Sequence, residues 1–185
     1  MIGYAFCGSF CTLSRSLPML EALVSRGEDV IPFVSERVYS TDTRFWKCRD
    51  FVARVENICG REAVHTVEGA EPYGPTRLDY LVIAPCTGNT LSKIAHGITD
   101  SAVTMAAKAH LRSDGKLLIA LASNDAMSQN LDSVARLLQR KGVYFVPMKQ
   151  DDPDKKPHSL VSDFSLLTPT LECAMQGKQY QKIFI

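Results

Sequence analysis

The chain has 185 residues, 45% of them hydrophobic and 22% charged, and 21 basic residues nearly cancel 20 acidic ones to leave a formal net charge of +1. At this size a chain can bury roughly 70% of its unfolded surface, and a single α/β domain over residues 1–185 is expected. The near-neutral balance gives no electrostatic case for nucleic acid or an anionic membrane, no run reaches the ~20 apolar residues of a bilayer span, and the opening MIGYAFC lacks the basic region of a secretory leader.

Apolar runs alternate with helical patterns along the chain. A strand at Ile2–Cys7 leads to a helix at Ser14–Arg26, stopped by Gly27. A strand at Val30–Val34 precedes a helix at Thr43–Cys59, stopped by Gly60, and a third strand is predicted at Ala63–Thr66. Glu68–Arg77, with two prolines and two glycines, reads as a loop. Then come a strand at Tyr80–Ala84, helices at Asn89–His96 and Ser101–Leu111, a strand at Lys116–Leu121, and a helix at Gln129–Lys141 before Gly142. The last strand is predicted at Val143–Pro147, the polar stretch Gln150–His158 lies on the surface, and a helix covers Val161–Met175. Such alternation specifies a three-layer, doubly wound parallel sheet with helices on both faces, Rossmann-like or flavodoxin-like.

In an open parallel sheet, ligands bind beyond the carboxyl ends of the strands, where the strand order reverses. With the first and fourth predicted strands as neighbours, the loops after Cys7 and Ala84 flank the crevice. The first loop offers Gly8 for a tight turn, hydroxyls on Ser9 and Thr12, and backbone N–H groups that can face an anion, or else it is a plain turn capped by Ser14. It matches neither a dinucleotide fingerprint nor a Walker loop. Ser35 stands where a further hydroxyl reaches the same phosphate, or caps a helix. The loop Pro85–Thr90 (PCTGNT) is dense in small polar groups: Pro85 ends the strand, Gly88 permits close backbone approach, and Thr87, Asn89 and Thr90 either contact a ligand or cap the next helix. After the fifth strand, Ser123, Asn124 and Met127 stand at the same edge, where Asn124 can donate to a carboxylate and Met127 can pack on a flat ring.

The six cysteines form no CxxC pair and no Cys/His group has zinc spacing, so free thiols of a cytoplasmic protein are expected and no metal site is assigned. Cys86 is placed like a nucleophile without an obvious base, which favours a lining role. The four histidines are scattered, and surface or packing roles are expected for them.

PCTGNT at Pro85–Thr90, NDAM at Asn124–Met127 and the loop Gly8–Thr12 resemble the PASANT motif, the second half of the PxMNxxMW motif and the first phosphate loop of the flavoprotein family of homo-oligomeric flavin-containing decarboxylases. Longer blocks extend the resemblance to one branch of that family: FVSERV at Phe33–Val38, STDTRF at Ser40–Phe45, Val82–Asp100, MAAKAHLR at Met105–Arg112 and KKPHSLV at Lys155–Val161. The resemblance implies FMN as cofactor. Gly8, Ser9, Phe10 and Ser35 would approach its phosphate and ribityl chain. Cys86, Thr87, Gly88, Thr90 and Ser123 would line its ring or tail. Asn89, Asn124 and Met127 would face the substrate. It also implies a homo-oligomer formed through Asn89–Leu111.

Resemblance to that branch implies that the chain is the small subunit of a two-chain oxidoreductase of sporulating bacteria, working in the mother-cell cytoplasm. It implies also a larger partner chain that carries a nicotinamide cofactor, NADP, and the oxidation of a small cyclic dicarboxylate to its aromatic form. A stand-alone FMN-dependent decarboxylase and a non-catalytic subunit that stabilises the partner are the alternatives. Against the decarboxylase, Glu68–Arg77 holds no histidine, Gln150–His158 holds no cysteine, Leu121 stands at the motif proline, and Ser128 follows Met127 where the family has tryptophan. No general base is assigned.

Overall fold

The computed structural model describes residues 1–74 and 78–185. Residues 75–77, the end of the stretch read as a loop, lie outside the described residues. The sheet core is built from strands whose apolar runs are buried along their length, as expected for parallel strands covered on both faces. These are β1 (Ile2–Phe6), β2 (Val30–Val34), β3 (Tyr80–Thr87) and β4 (Lys116–Ser123). They lie side by side in the order β2-β1-β3-β4, all parallel, and β5 (Val143–Phe145) pairs in parallel with β4 at Leu117–Ile119. The first strand therefore sits beside the strand that begins at Tyr80, where the order reverses.

Helices close both faces. On one face α1 (Leu13–Ser25), α3 (Cys48–Cys59) and α8 (Leu167–Met175) pack on Tyr4, Phe6, Val82 and Leu118. On the other, α5 (Gly88–His96), α6 (Ala102–Leu111) and α7 (Leu131–Leu138) cover Ala5, Ile83, Ile119 and Phe145. Within each strand successive side chains point to opposite faces, so one apolar run serves both cores.

Several predicted elements change. Ala63–Thr66 is no strand: only Val64 bridges Phe33, because the Thr66 hydroxyl accepts a hydrogen bond from Gly69 N–H and turns the chain into α4 (Val67–Ala70). That short helix and a 3₁₀ turn at Glu71–Tyr73 replace most of the expected loop. The predicted helix at Thr43–Cys59 begins only at Cys48. Thr43 Oγ1 accepts from the Phe45 and Trp46 N–H groups and Asp42 Oδ1 from that of Cys48, and such local bonds compete with a helix. A short helix α2 (Glu36–Ser40) precedes it. Pro147 has no N–H to give a ladder, and β5 stops before it. The sheet is also not wholly parallel. Beyond Pro147, β6 (Met148–Lys149) pairs antiparallel with β7 (Leu160–Ser162), which lies antiparallel to β4 at Ala122–Ser123. The predicted C-terminal helix from Val161 thus starts as a strand, with α8 following only after Asp163 caps a 3₁₀ turn.

Two details position the loops at the carboxyl edge. Pro85 does not end its strand: β3 shifts register between Ile83 and Cys86, at a cis Ala84–Pro85 bond, and continues to Thr87. Beneath the shift, the Ser16 hydroxyl of α1 donates to the Ala84 carbonyl (2.6 Å), so the Tyr4 hydroxyl must donate to Ser16 Oγ (2.8 Å). This chain of bonds ties α1, β1 and β3 together under the crevice. Burial pushes the Tyr4 phenol well above its ordinary pKa.

Candidate functional site

The loops leaving β1, β2 and β3 enclose a cleft of about 590 Å³, within the ~300–1,000 Å³ range of small-ligand sites. Backbone bonds fix their spacing: Cys7 N–H donates to the Pro85 carbonyl and Ser35 N–H to that of Phe6. Six of the residues singled out in the sequence line this cleft together, namely Gly8, Phe10, Ser35, Thr87, Asn89 and Thr90. Thr87 caps α5: its oxygen accepts from Thr90 N–H (3.2 Å), and its hydroxyl donates to Thr90 Oγ1 (3.1 Å). Asn89, exposed at the first turn of α5, makes no capping bond.

Ser35 carries the most informative atom of the cleft. Its Oγ is buried and has no hydrogen-bond partner among the described residues. Leaving a buried hydroxyl unpaired costs about 1–3 kcal/mol, so such atoms mark places where another group belongs. Gly8 lines the same cleft, and a Cβ added there would lie 3.4 Å from Arg37 Cβ and 3.6 Å from Phe10 Cε2, ordinary contacts. The cleft thus joins a glycine whose side could take a larger group to a hydroxyl with a hydrogen bond still to give.

The cleft also holds residues that the sequence reading missed. Arg37 makes no ion pair among the described residues, whereas Lys93 pairs with Asp100 at 2.6 Å; Ser101 completes the rim. The spacing signal was present: Lys93 follows Asn89 by four residues and shares its helix face. Arg37 was hidden because the five-residue α2 has too short a pattern to read.

Three other predicted residues line a second cavity of about 330 Å³ next to the first. These are Ser9, Ser123 and Asn124, joined there by Arg15 of α1 and by Asp151 and Lys156 of the β6–β7 connection. The Gly8–Phe10 loop contributes to both cavities, Gly8 and Phe10 to the larger and Ser9 to the smaller. Ser123 does not offer a free proton, since its hydroxyl donates to Asp125 Oδ1 (2.6 Å), which also accepts from Asn130 Nδ2 (2.7 Å). Asp125, two residues after a serine in a turn, is a further residue the sequence reading passed over. Gln150–His158 is accordingly more than a solvent loop, because it supplies a wall.

The remaining three predicted residues face neither cavity. Cys86 is 0% exposed and belongs to the apolar cluster under α5 and α6. Gly88 is buried against Ser123 and Asn130, so its missing side chain serves packing between β3 and the β4 loop rather than approach of a ligand. Met127 packs on the same apolar cluster, and its N–H donates to the His158 carbonyl. Residues 124–130 form turns rather than a helix start. Ser14 likewise caps nothing, accepting instead from Trp46 Nε1.

The thiols are arranged against nucleophilic chemistry. Burial raises the Cys7 thiol to about 11, offset in part by its bond to Thr90, and raises Cys86 well above its ordinary value. Only the thiolate attacks. Iodoacetamide at neutral pH is therefore expected to label exposed Cys11 while sparing Cys7 and Cys86 until the chain is unfolded, as read by peptide mass spectrometry; prompt labelling of Cys86 would restore it as a nucleophile. All six cysteines are free. Two histidines serve packing, since His65 stacks on Tyr39 and Nε2 of His110 lies 2.9 Å from the Lys116 carbonyl, while His96 and His158 are exposed. Among the described residues no group of three or more His, Cys, Asp or Glu side chains is placed to hold a metal, and no helix is long and apolar enough to cross a membrane.

Comparison with known proteins gives the fold and the site a family. The chain is 42% identical to the B polypeptide of dipicolinate synthase from Bacillus subtilis, over all of this chain and 92% of that one. It superposes on the crystal structure of the same enzyme's B polypeptide from Bacillus halodurans with a TM-score of 0.91, at 42% identity, covering 100% of this chain and 95% of that one. The FMN-dependent cysteine decarboxylase SpaF shares the fold at a TM-score of 0.68 and 22% identity, over 95% of each chain. The flavoprotein family model matches residues 2–163, and this chain belongs to the flavoprotein family.

Proposed function

We propose that the chain binds FMN in the larger cleft and is the small subunit of a dipicolinate synthase. In this reading it works with a separate, larger dipicolinate synthase chain that carries NADP. Together they oxidise dihydrodipicolinate, or its hydroxytetrahydro precursor after loss of water, to pyridine-2,6-dicarboxylate. The setting is the mother-cell cytoplasm of a sporulating bacterium, and the chain assembles as a homo-oligomer. The full-length 42% identity to a dipicolinate synthase polypeptide carries the reaction, and the unpartnered Ser35 hydroxyl beside Gly8 carries the cofactor.

The chemistry is consistent with the donor set. Aromatising the ring removes two electrons and two protons, and a bound flavin supplies a two-electron acceptor. The chain's own residues bind and orient. Ser35 would donate to a phosphate, the side-chain-free face of Gly8 would let that group approach, and Arg37 would add a cation at the rim. Thr87 and Thr90 hold the end of β3 rigid at the helix start. Neither buried thiol is ionised to act as a base at neutral pH, and the reading assigns the proton to the partner chain or to water.

The test is a visible spectrum of the purified chain after FMN loading, with and without the larger NADP-carrying chain. A flavin spectrum that bleaches when dihydrodipicolinate is added is the expected result. A colourless chain that takes up no FMN yet raises the activity of the larger chain would overturn it in favour of a supporting role. CO₂ release by the isolated loaded chain would instead point to a decarboxylase.

A further inference from the structure

We infer that the second cavity, between Arg15, Lys156 and Asn124, is a carboxylate-binding site that selects a dicarboxylate over a monocarboxylate substrate. The inference rests on the dipicolinate synthase reading and deepens it.

The cavity is charged in a particular way. Arg15 from α1 and Lys156 from the β6–β7 connection bring two cations, and Asp151 brings one carboxylate, which leaves one positive charge unbalanced among these three lining residues. Asp151 is already engaged: its Oδ2 accepts from Lys156 Nζ at 3.1 Å, and its Oδ1 from the hydroxyl of fully buried Ser159. That serine bond holds the Asp151 carboxyl below the usual range, so it remains an anion near neutral pH. Lys156, whose ammonium is kept charged chiefly by Asp151, spends one donor there and has two left.

Arg15 is the freer cation. Its guanidinium carbon lies 5.5 Å above the ring of Phe164, itself 3% exposed. It makes no ion pair or side-chain hydrogen bond among the described residues. A guanidinium resting on a buried ring keeps its N–H edges for a planar bidentate acceptor, and a carboxylate has that shape. Asn124, exposed on the opposite wall at the end of β4, makes no side-chain hydrogen bond among the described residues and adds a neutral donor. The loop Gly8–Phe10 contributes to both cavities, Ser9 to this one and Gly8 and Phe10 to the larger cleft, which ties an anion held here to the proposed cofactor site.

The test is calorimetric titration of the FMN-loaded chain with pyridine-2,6-dicarboxylate and with pyridine-2-carboxylate, for the unaltered protein, Arg15→Gln, Lys156→Gln and Arg15→Lys. The unaltered protein is expected to prefer the dicarboxylate. Arg15→Gln and Lys156→Gln each lower its affinity about tenfold, the scale of one charge-assisted hydrogen bond, while moving the monocarboxylate less. Arg15→Lys restores part of the loss. Thermal unfolding and FMN affinity stay as in the unaltered chain, since neither residue lines the larger cleft. Equal binding of both ligands by the unaltered protein, or unchanged dicarboxylate affinity in both glutamine variants, would overturn the inference. A chain that takes up no FMN but still shows the dicarboxylate preference would overturn the cofactor reading and leave this site standing.

Discussion

Gly88→Ala is expected to destabilise the chain by about 3 kcal/mol, lowering the unfolding midpoint by roughly 6–12 °C. The added methyl would lie 2.5 Å from Ser123 Oγ and 2.6 Å from Asn130 Nδ2. Both neighbours are 7% exposed, and both are bonded to Asp125, so neither can swing away without leaving a carboxylate under-satisfied. Overpacking a tight core alone costs about 1–3 kcal/mol, and loosening a bond to a charged acceptor adds a similar amount. The shift is read by thermal unfolding of the FMN-free protein, where cofactor loss cannot contribute. A midpoint within about 2 °C of the parent would mean that the β3–β4 contact is looser than its geometry, and the packing role assigned to Gly88 would fail.

Gly8→Leu is expected to do the reverse. A Cβ at position 8 meets only ordinary contacts with Arg37 and Phe10, so the fold accepts it and the midpoint moves by no more than about 2 °C. The rest of the leucine has only the cleft to occupy. FMN affinity should then fall by a factor of about 100 or more, followed by fluorescence titration. Gly8→Ala should fall between the two proteins. Unchanged FMN affinity in Gly8→Leu would place the cofactor elsewhere. The pair separates two roles that a small residue in a binding motif can have: Gly8, as proposed, would clear room for a ligand, and Gly88 clears room for the protein's own next loop.

The difference between those glycines was not visible in the sequence, where Gly8 read as a tight turn and Gly88 as a site of close backbone approach, both of them beside a ligand. Their environments depend on β3–β4 register and on Asn130, more than forty residues away, which no local pattern encodes. The strand order was legible, because continuous apolar runs such as Val30–Val34 and Tyr80–Ala84 are long enough to stand out and the parallel crossover rules leave few arrangements. The larger cleft was legible for the same reason, since it follows from that order. What escaped was set by side chains acting over a few residues or by non-local pairing. Thr43 and Asp42 delay α3, Thr66 ends a strand after one bridge, and Leu160–Ser162 becomes an antiparallel strand only because β4 extends far enough to meet it. Cys86 was misplaced by parity. The register shift at Pro85 decides which way each following side chain points, and it turns that thiol into the core.

The unpartnered Ser35 hydroxyl also bears on how long the protein survives in a cell. A ligand that takes up this hydroxyl adds that bond to the mass-action stabilisation of any ligand that binds only the folded form. A difference of about one or two kcal/mol changes steady-state abundance several-fold, because quality-control proteases draw on the unfolded fraction. Cofactor supply would therefore set the quantity of this protein as well as its competence, with newly made chains that find no ligand cleared first.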